Sequence, residues 1–329
     1  MRTAVGAVVL FGCLAVPAWS AEWEPLTTEL LKKEKTGFGG LCGVVVDRKT
    51  GALLVDLSDR GVFRSADGGK SWEQVGEAFK GRTETPGCML IDPTGKTRQM
   101  VVPLVYGAPV TFGDADRVVW KAVDGKSAHV DWCAVDWTDA EHRFLLVLKH
   151  ESGGLLLASQ DGGKSFAEVG KGYGPAWVFD GQTAVVAEAK STAKPKPNLM
   201  RTTDGGKSWQ PCGAYSVKAL PHWHGDTLYW LTDDALIATT DRGESWKKVC
   251  DLKDGRFGPV FGKDAKQLFV LTGAGIVEST DGGATWSKPL PPPKGLNGVA
   301  GLTWLDYDPG ADALYIMKMG SELYRLSRK

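Results

Sequence analysis

The sequence predicts an all-β protein, a closed β-propeller of seven blades. Three observations carry this. One octapeptide recurs five times. The copies are spaced at about the length of a four-stranded blade. The chain between them is short apolar runs broken by turn residues, with little helical periodicity.

The octapeptide first appears as Ser65-Ala66-Asp67-Gly68-Gly69-Lys70-Ser71-Trp72 and returns around Asp161, Asp204, Asp241 and Asp281. Its pattern is Ser/Thr-x-Asp-x-Gly-x-Ser/Thr-aromatic. Such a segment suits a hairpin turn. The carboxylate accepts from backbone N–H groups just after it, glycine permits positive φ, and the hydroxyls tie the turn down. The terminal aromatic opens the next strand and packs into the blade. Five equivalent aspartates around a ring cannot share one active site, so they are assigned a structural role.

Spacings between the five aspartates are 94, 43, 37 and 40 residues. The long gap is read as hiding a decayed copy, Ala122-Val123-Asp124-Gly125-Lys126-Ser127. The apolar runs Cys42 to Val46 and Ala52 to Val55, then Gly61-Val62-Phe63, are the first blade's strands; Gln267 to Leu271 and Gly275-Ile276-Val277 repeat the pattern in the sixth. A helix is expected over 29–35. Residues 301–328 offer three strands and no octapeptide. The fourth strand of that blade is sought at the N-terminus, where Glu22-Trp23-Glu24-Pro25-Leu26 resembles the segments after the repeats. That closure removes an exposed sheet edge and makes seven blades; if the second unit is not a blade, the count is six.

Arg2 and the apolar run 4–16 read as a signal peptide, cleaved after Ser20, which leaves a single propeller domain over 21–329 outside the cytoplasm, secreted or periplasmic. A lipoprotein signal ending at Cys13 is the weaker alternative, because Phe11 is bulky for it. No later stretch reads as a transmembrane span. Lysine plus arginine and aspartate plus glutamate are both 39, so nothing global favours nucleic acid. Cleavage leaves five cysteines, an odd number. Cys42, Cys88 and Cys133 hold similar places in consecutive blades, as buried apolar residues or, less favoured, a soft-metal site. Cys212 and Cys250 fall on outer strands too far apart to bridge. No cofactor is expected.

The repeats resemble the Asp-box, or BNR, repeats of sialidases, two-propeller xyloglucanases, sortilin-type receptors and photosystem II assembly factors. The resemblance implies the fold over nearly the whole mature chain; these proteins share the turn and not the site. A sialidase would carry an Arg-Ile-Pro motif near its first strand. None occurs, and Lys35-Thr36-Gly37-Phe38-Gly39-Gly40 holds no arginine. The xyloglucanase-type enzymes resemble the segment Gly43 to Asp47 followed by the first repeat, but their cleft lies between two propellers. The assembly factors match in size.

Recognition is therefore expected on the face opposite the boxes, where loops differ from blade to blade. The binding candidates are His150 and Glu151 at the end of one second strand, Asp233 and Asp234 at another, and His222 and His224 on an innermost strand. Two apart, these histidines share a strand face and a metal ion, or are simply a surface pair. Binding through histidines among carboxylates would change between about pH 5 and 8. The basic insertion Lys190-Ser191-Thr192-Ala193-Lys194-Pro195-Lys196-Pro197 reads as a solvated loop or as a grip for an acidic partner, and Pro291-Pro292-Pro293 as a stiff connector. The leading functional expectation is a non-catalytic binding or assembly propeller with a protein or glycan partner. A glycoside hydrolase or lyase acting on extracellular glycans is the alternative.

Overall fold

The computed structural model describes residues 22–115, 120–189, 198–296, 298–299 and 301–328. The leader, Cys13 and the basic insertion at 190–197 lie outside these. Seven antiparallel sheets form a seven-bladed propeller. From the channel outward, blade 1 holds Gly43–Asp47, Ala52–Asp56, Val62–Ser65 and Glu73–Gln74. The inner strands of blades 2 to 7 are Leu90–Ile91, Val130–Val135, Tyr173–Val178, Val217–His224, Gly255–Phe261 and Thr303–Asp308.

Each blade is buried on both faces by its neighbours, so its strands are continuous apolar runs rather than alternating ones. In blade 1 the period of two shows which neighbour each side chain meets. Val44 and Val46 pack with Trp304, Tyr315 and Met317 of blade 7. Val45 and Leu54 pack with Met89, Met100 and Val102 of blade 2. Fully burying a side chain of this size contributes about 1.5–3 kcal/mol.

The last blade is ordered Glu24–Pro25, Leu323–Ser327, Ala313–Lys318, Thr303–Asp308 from rim to channel. Glu24 faces Arg325 and Pro25 faces Tyr324 in that outer pairing. Blade 6 has three regular strands, with only a bridge between Ile276 and Leu290 where the fourth would run. Pro289 and Pro291 to Pro293 have no N–H for a further ladder. The helix spans Thr28–Glu34.

All five repeats make the same turn. In the third repeat Asp204 Oδ1 accepts from Ser208 N at 3.0 Å and Oδ2 accepts from Ser208 Oγ at 2.6 Å. Thr202 Oγ1 donates to Asp204 and accepts from Gly206 N at 2.9 Å. The same set surrounds Asp67, Asp161, Asp241 and Asp281. These bonds hold the Asp161, Asp204 and Asp281 carboxyls down at about 2, below the usual range.

The reading of blade 2 needs correction. Asp124 does not sit between a third and an outer strand. It follows the outer strand Lys121–Ala122 and caps a short 3-10 turn, Gly125–Ser127. The third strand, Thr111–Asp114, pairs directly with that outer strand, and the aromatic just ahead of it is Trp120. Trp120 Nε1 donates to Val75 O of blade 1 at 3.0 Å, as Trp72 Nε1 donates to Leu26 O of blade 7 at 3.1 Å. Measured from aromatic to aromatic, the repeat runs 48, 46, 43, 37 and 40 residues, far more even than the aspartates suggest.

Candidate functional site

In a four-stranded meander the first and third turns share one face of the ring, and the second turn and the blade-to-blade links share the other. The boxes are third turns. Backbone bonds from Gly162 to Arg143 and from Gly205 to Gln182 tie them to first turns. The channel therefore has a box-side mouth and a far mouth.

On the far face, loops of blades 1 to 3 converge. The segment before blade 1 supplies Phe38, the link into blade 2 supplies Arg82, and the second turn of blade 2 supplies Tyr106. His129 ends the link into blade 3, and His150 and Glu151 form that blade's second turn. Phe38 and Tyr106 are 43% and 45% exposed, with ring centroids 5.9 Å apart. The Arg82 guanidinium lies 4.4 Å from the Phe38 centroid and 5.3 Å from that of Tyr106, held by Glu84 at 3.0 Å. The His150 ring makes a chain. Its Nδ1 meets Asp131 Oδ1 at 2.6 Å, and its Nε2 meets the Tyr106 hydroxyl at 2.9 Å. An N–H on Nδ1 towards the carboxylate leaves Nε2 to accept from Tyr106. Desolvation, then the Glu151 charge, raises the Tyr106 phenol, so its hydroxyl stays a donor.

Three of these residues have left-handed backbone although none is glycine: Tyr106 at φ 55°, His129 at 58° and Glu151 at 52°. Each costs about 1 kcal/mol or more, and such strain clusters where function fixes a conformation. Local bonds hold it. Tyr106 N donates to His129 Nδ1 at 3.1 Å, and His150 N donates to His129 O at 2.9 Å. Gly107 is obligatory here, because a Cβ would stand 2.0 Å from Lys80 O. Beneath the cluster Asp56 is fully buried. It accepts from Thr83 N and Oγ1 at 2.7 and 2.9 Å, and burial pushes its carboxyl up to about 7 despite these bonds.

The box-side mouth is a cavity of about 240 Å³. His222 and His224 are there, and not on the far face where the sequence reading put them. Their strand runs towards its first turn, and first turns lie on the box side. They do share a face, but each meets its own ring: His222 stands edge-on to Phe257 at 5.1 Å, and His224 stacks on Phe261 at 4.1 Å. Burial, then Arg48, lowers His222 to about 4 and lowers His224 as well. His222 therefore stays neutral over pH 5–8 and does not supply the pH dependence expected of it.

Asp233 and Asp234 lie on the far face but in blade 5, away from the cluster. Asp233 pairs with Lys218 at 3.3 Å, and Asp234 O accepts from Leu252 N within the same blade. Among the described residues no group of three or more histidine, cysteine or acidic side chains is placed to hold a metal. Cys42, Cys88, Cys133, Cys212 and Cys250 are all unbridged, and burial raises their thiols, Cys88 to about 12. Cys88 and Cys133 fall in different core clusters.

The sequence reading found His150 and Glu151 in this cluster and missed Phe38, Arg82, Tyr106 and His129. Five separate segments bring these together, and Tyr106-Gly107 just after an apolar run was the available signal.

The BNR/Asp-box repeat family matches residues 277–288, the sixth blade's box. No curated protein matches the chain. Among solved structures, a GH74 enzyme of Niastella koreensis aligns at 14% identity and TM-score 0.53, over 88% of this chain and 43% of that one. YCF48 bound to a D1 peptide aligns at 14% identity and TM-score 0.51, over 96% and 99%. YCF48 from Cyanidioschyzon merolae aligns at 12% and 0.51, over 94% and 99%. The chain thus spans less than half of the enzyme and nearly all of YCF48. At these identities the likeness is one of fold: this is a seven-bladed propeller carrying Asp-box repeats.

Proposed function

We propose that the chain is a binding propeller that works outside the cytoplasm, after loss of residues 1–20, and docks a protein segment on the far face of blades 1 to 3. The observation that carries this reading is the exposed pair Phe38 and Tyr106, stacked with Arg82 and fixed through His150 on a strained backbone. Tyrosine and arginine are enriched among the few residues that carry most of an interface's binding energy. Glu151, exposed at the rim of the cluster, selects for basic or hydrogen-bonding groups on the partner. YCF48, with a bound peptide, has the same fold at the same length.

The test is capture of partners from the native cell envelope, followed by titration with the Tyr106→Ala protein. A loss of tenfold or more with an unchanged melt supports the reading, and unchanged affinity overturns it. The second reading, a glycoside hydrolase or lyase, draws on one feature. Asp131 and Glu151 approach the same imidazole, at 2.6 and 3.7 Å. Glycan cleavage abolished by both Asp131→Asn and Glu151→Gln would favour it.

A further inference from the structure

The box-side cavity belongs to neither reading, and its chemistry is asymmetric. Its wall is aromatic: Phe257, Phe261 and the ring of His224 that stacks on it. Its acids are already occupied. Asp47 accepts from Lys49 N, Thr50 Oγ1 and Arg98. Asp92 takes the N–H and hydroxyl of both Thr94 and Thr97. Asp306 accepts from Val46 N at 2.7 Å and Tyr307 N at 2.8 Å. Arg48 is different. It is 39% exposed, reaches Asp306 only at 3.8 Å, and lines the cavity together with His222 and His224. His222 lines this cavity, and its Nε2 is buried with no hydrogen-bond partner. An unmet buried polar atom is destabilising, and a ligand hydrogen-bonding group would recover that cost.

Saturated carboxylates disfavour a cation, and a guanidinium at the rim favours an anion. The volume sets the size. A cavity of about 150 Å³ lined by apolar side chains holds benzene, so 240 Å³ admits one ring with substituents. We propose that the box-side mouth binds a monocyclic aromatic carboxylate. The carboxylate meets Arg48 at the rim, the ring lies among Phe257, Phe261 and His224, and a polar ring substituent satisfies His222 Nε2. This site is independent of the far-face cluster, since none of the cluster's residues lines the cavity.

The test uses the full chain, titrated calorimetrically with 4-hydroxybenzoate, benzoate and the neutral 4-hydroxybenzyl alcohol. The hydroxy acid should saturate below about 10 mM, and the alcohol should bind at least tenfold more weakly. Arg48→Gln should bring the acid down to the level of the alcohol, and His222→Leu should erase the advantage of 4-hydroxybenzoate over benzoate. Equal binding of acid and alcohol to the unmodified protein overturns the proposal. So does failure of the acid to saturate. Neither outcome depends on a variant folding.

Discussion

The box turns and the far-face loops of blades 1 to 3 are built from opposite principles. Each box repeats the same hydrogen bonds, and its glycines take the positive φ the turn demands, as at Gly205 and Gly206. The far-face cluster repeats nothing. It places tyrosine, histidine and glutamate where glycine would be relaxed. It also holds two of the three large apolar side chains that are exposed among the described residues. Repetition marks what every blade needs in order to close. Left-handed non-glycine residues also occur elsewhere, Arg242 of the fourth box among them, but here three of them adjoin two exposed aromatic rings, and that combination marks what the molecule does once.

The largest expected effect tests whether repetition alone makes the ring. Deleting residues 22–26 removes the strand that pairs with Leu323–Ser327, the Glu24–Arg325 ion pair and the Trp23 bond to Pro291 O. It also uncovers the packing of Leu26 against the first box. We expect a loss of about 3 kcal/mol or more, or aggregation through the opened edge. A truncated protein that melts like the parent in calorimetry would show that the boxes hold the ring by themselves.

Next in size, the two mouths should titrate with opposite sign. His222 is lowered from 6.5 to about 4 in the folded protein. Between those values the unfolded chain binds the extra proton, so stability falls as pH drops from about 6.5 to 4, by up to about 3 kcal/mol. Asp56 is raised from 3.8 to about 7. There the folded protein holds the proton, so its contribution is lost as pH rises across that window. In urea melts from pH 4 to 7, His222→Leu should remove the first trend and Asp56→Asn the second. Unchanged slopes in both variants would break the contrast between the mouths.

A smaller pair of effects separates fold from function directly. Asp161→Ala should leave Ser165 N and Oγ without their acceptor and lower stability by about 1–2 kcal/mol, with partner binding intact. Tyr106→Ala should do the reverse, weakening the captured partner about tenfold or more with no fall in melting temperature. If the box variant lost binding and the tyrosine variant lost stability, the division of labour would be wrong.

How much the sequence disclosed follows the same division. The boxes were legible because glycine, aspartate and hydroxyl recur at fixed offsets. Blade 2 was misread for the converse reason. The sequence before Trp120 reads Arg117-Val118-Val119 where a box has glycine and serine, while Asp124-Gly125-Lys126-Ser127 imitates a box at the wrong strand junction. The pairing of His222 with His224 followed from strand alternation, but their mouth of the channel did not. It depends on the direction of the strand relative to its turn. Phe38, Arg82, Tyr106 and His129 became neighbours only through the ring, which no local pattern encodes.

The smallest expected effect is the most specific to the far face. Glu151 sits at φ 52° with its side chain 68% exposed, beside His150 Nε2 at 3.7 Å. An L-residue there has its Cβ crowded against the backbone, and glycine has none. Glycine also has more freedom to lose on folding, which offsets part of the relief. The balance for Glu151→Gly should be a gain of about 0.5–1 kcal/mol, read as a small rise in melting temperature. The same variant removes a carboxylate from the rim of the cluster, so partner affinity should fall. A stabilising substitution that weakens binding is what a strained recognition loop gives. Destabilisation would mean that the Glu151 side chain's contact with His150 outweighs the backbone strain, and Glu151 would then belong to the scaffold. Glu151→Gln separates the two contributions, because it keeps the backbone and removes the charge: it should weaken binding and leave the melting temperature where it was.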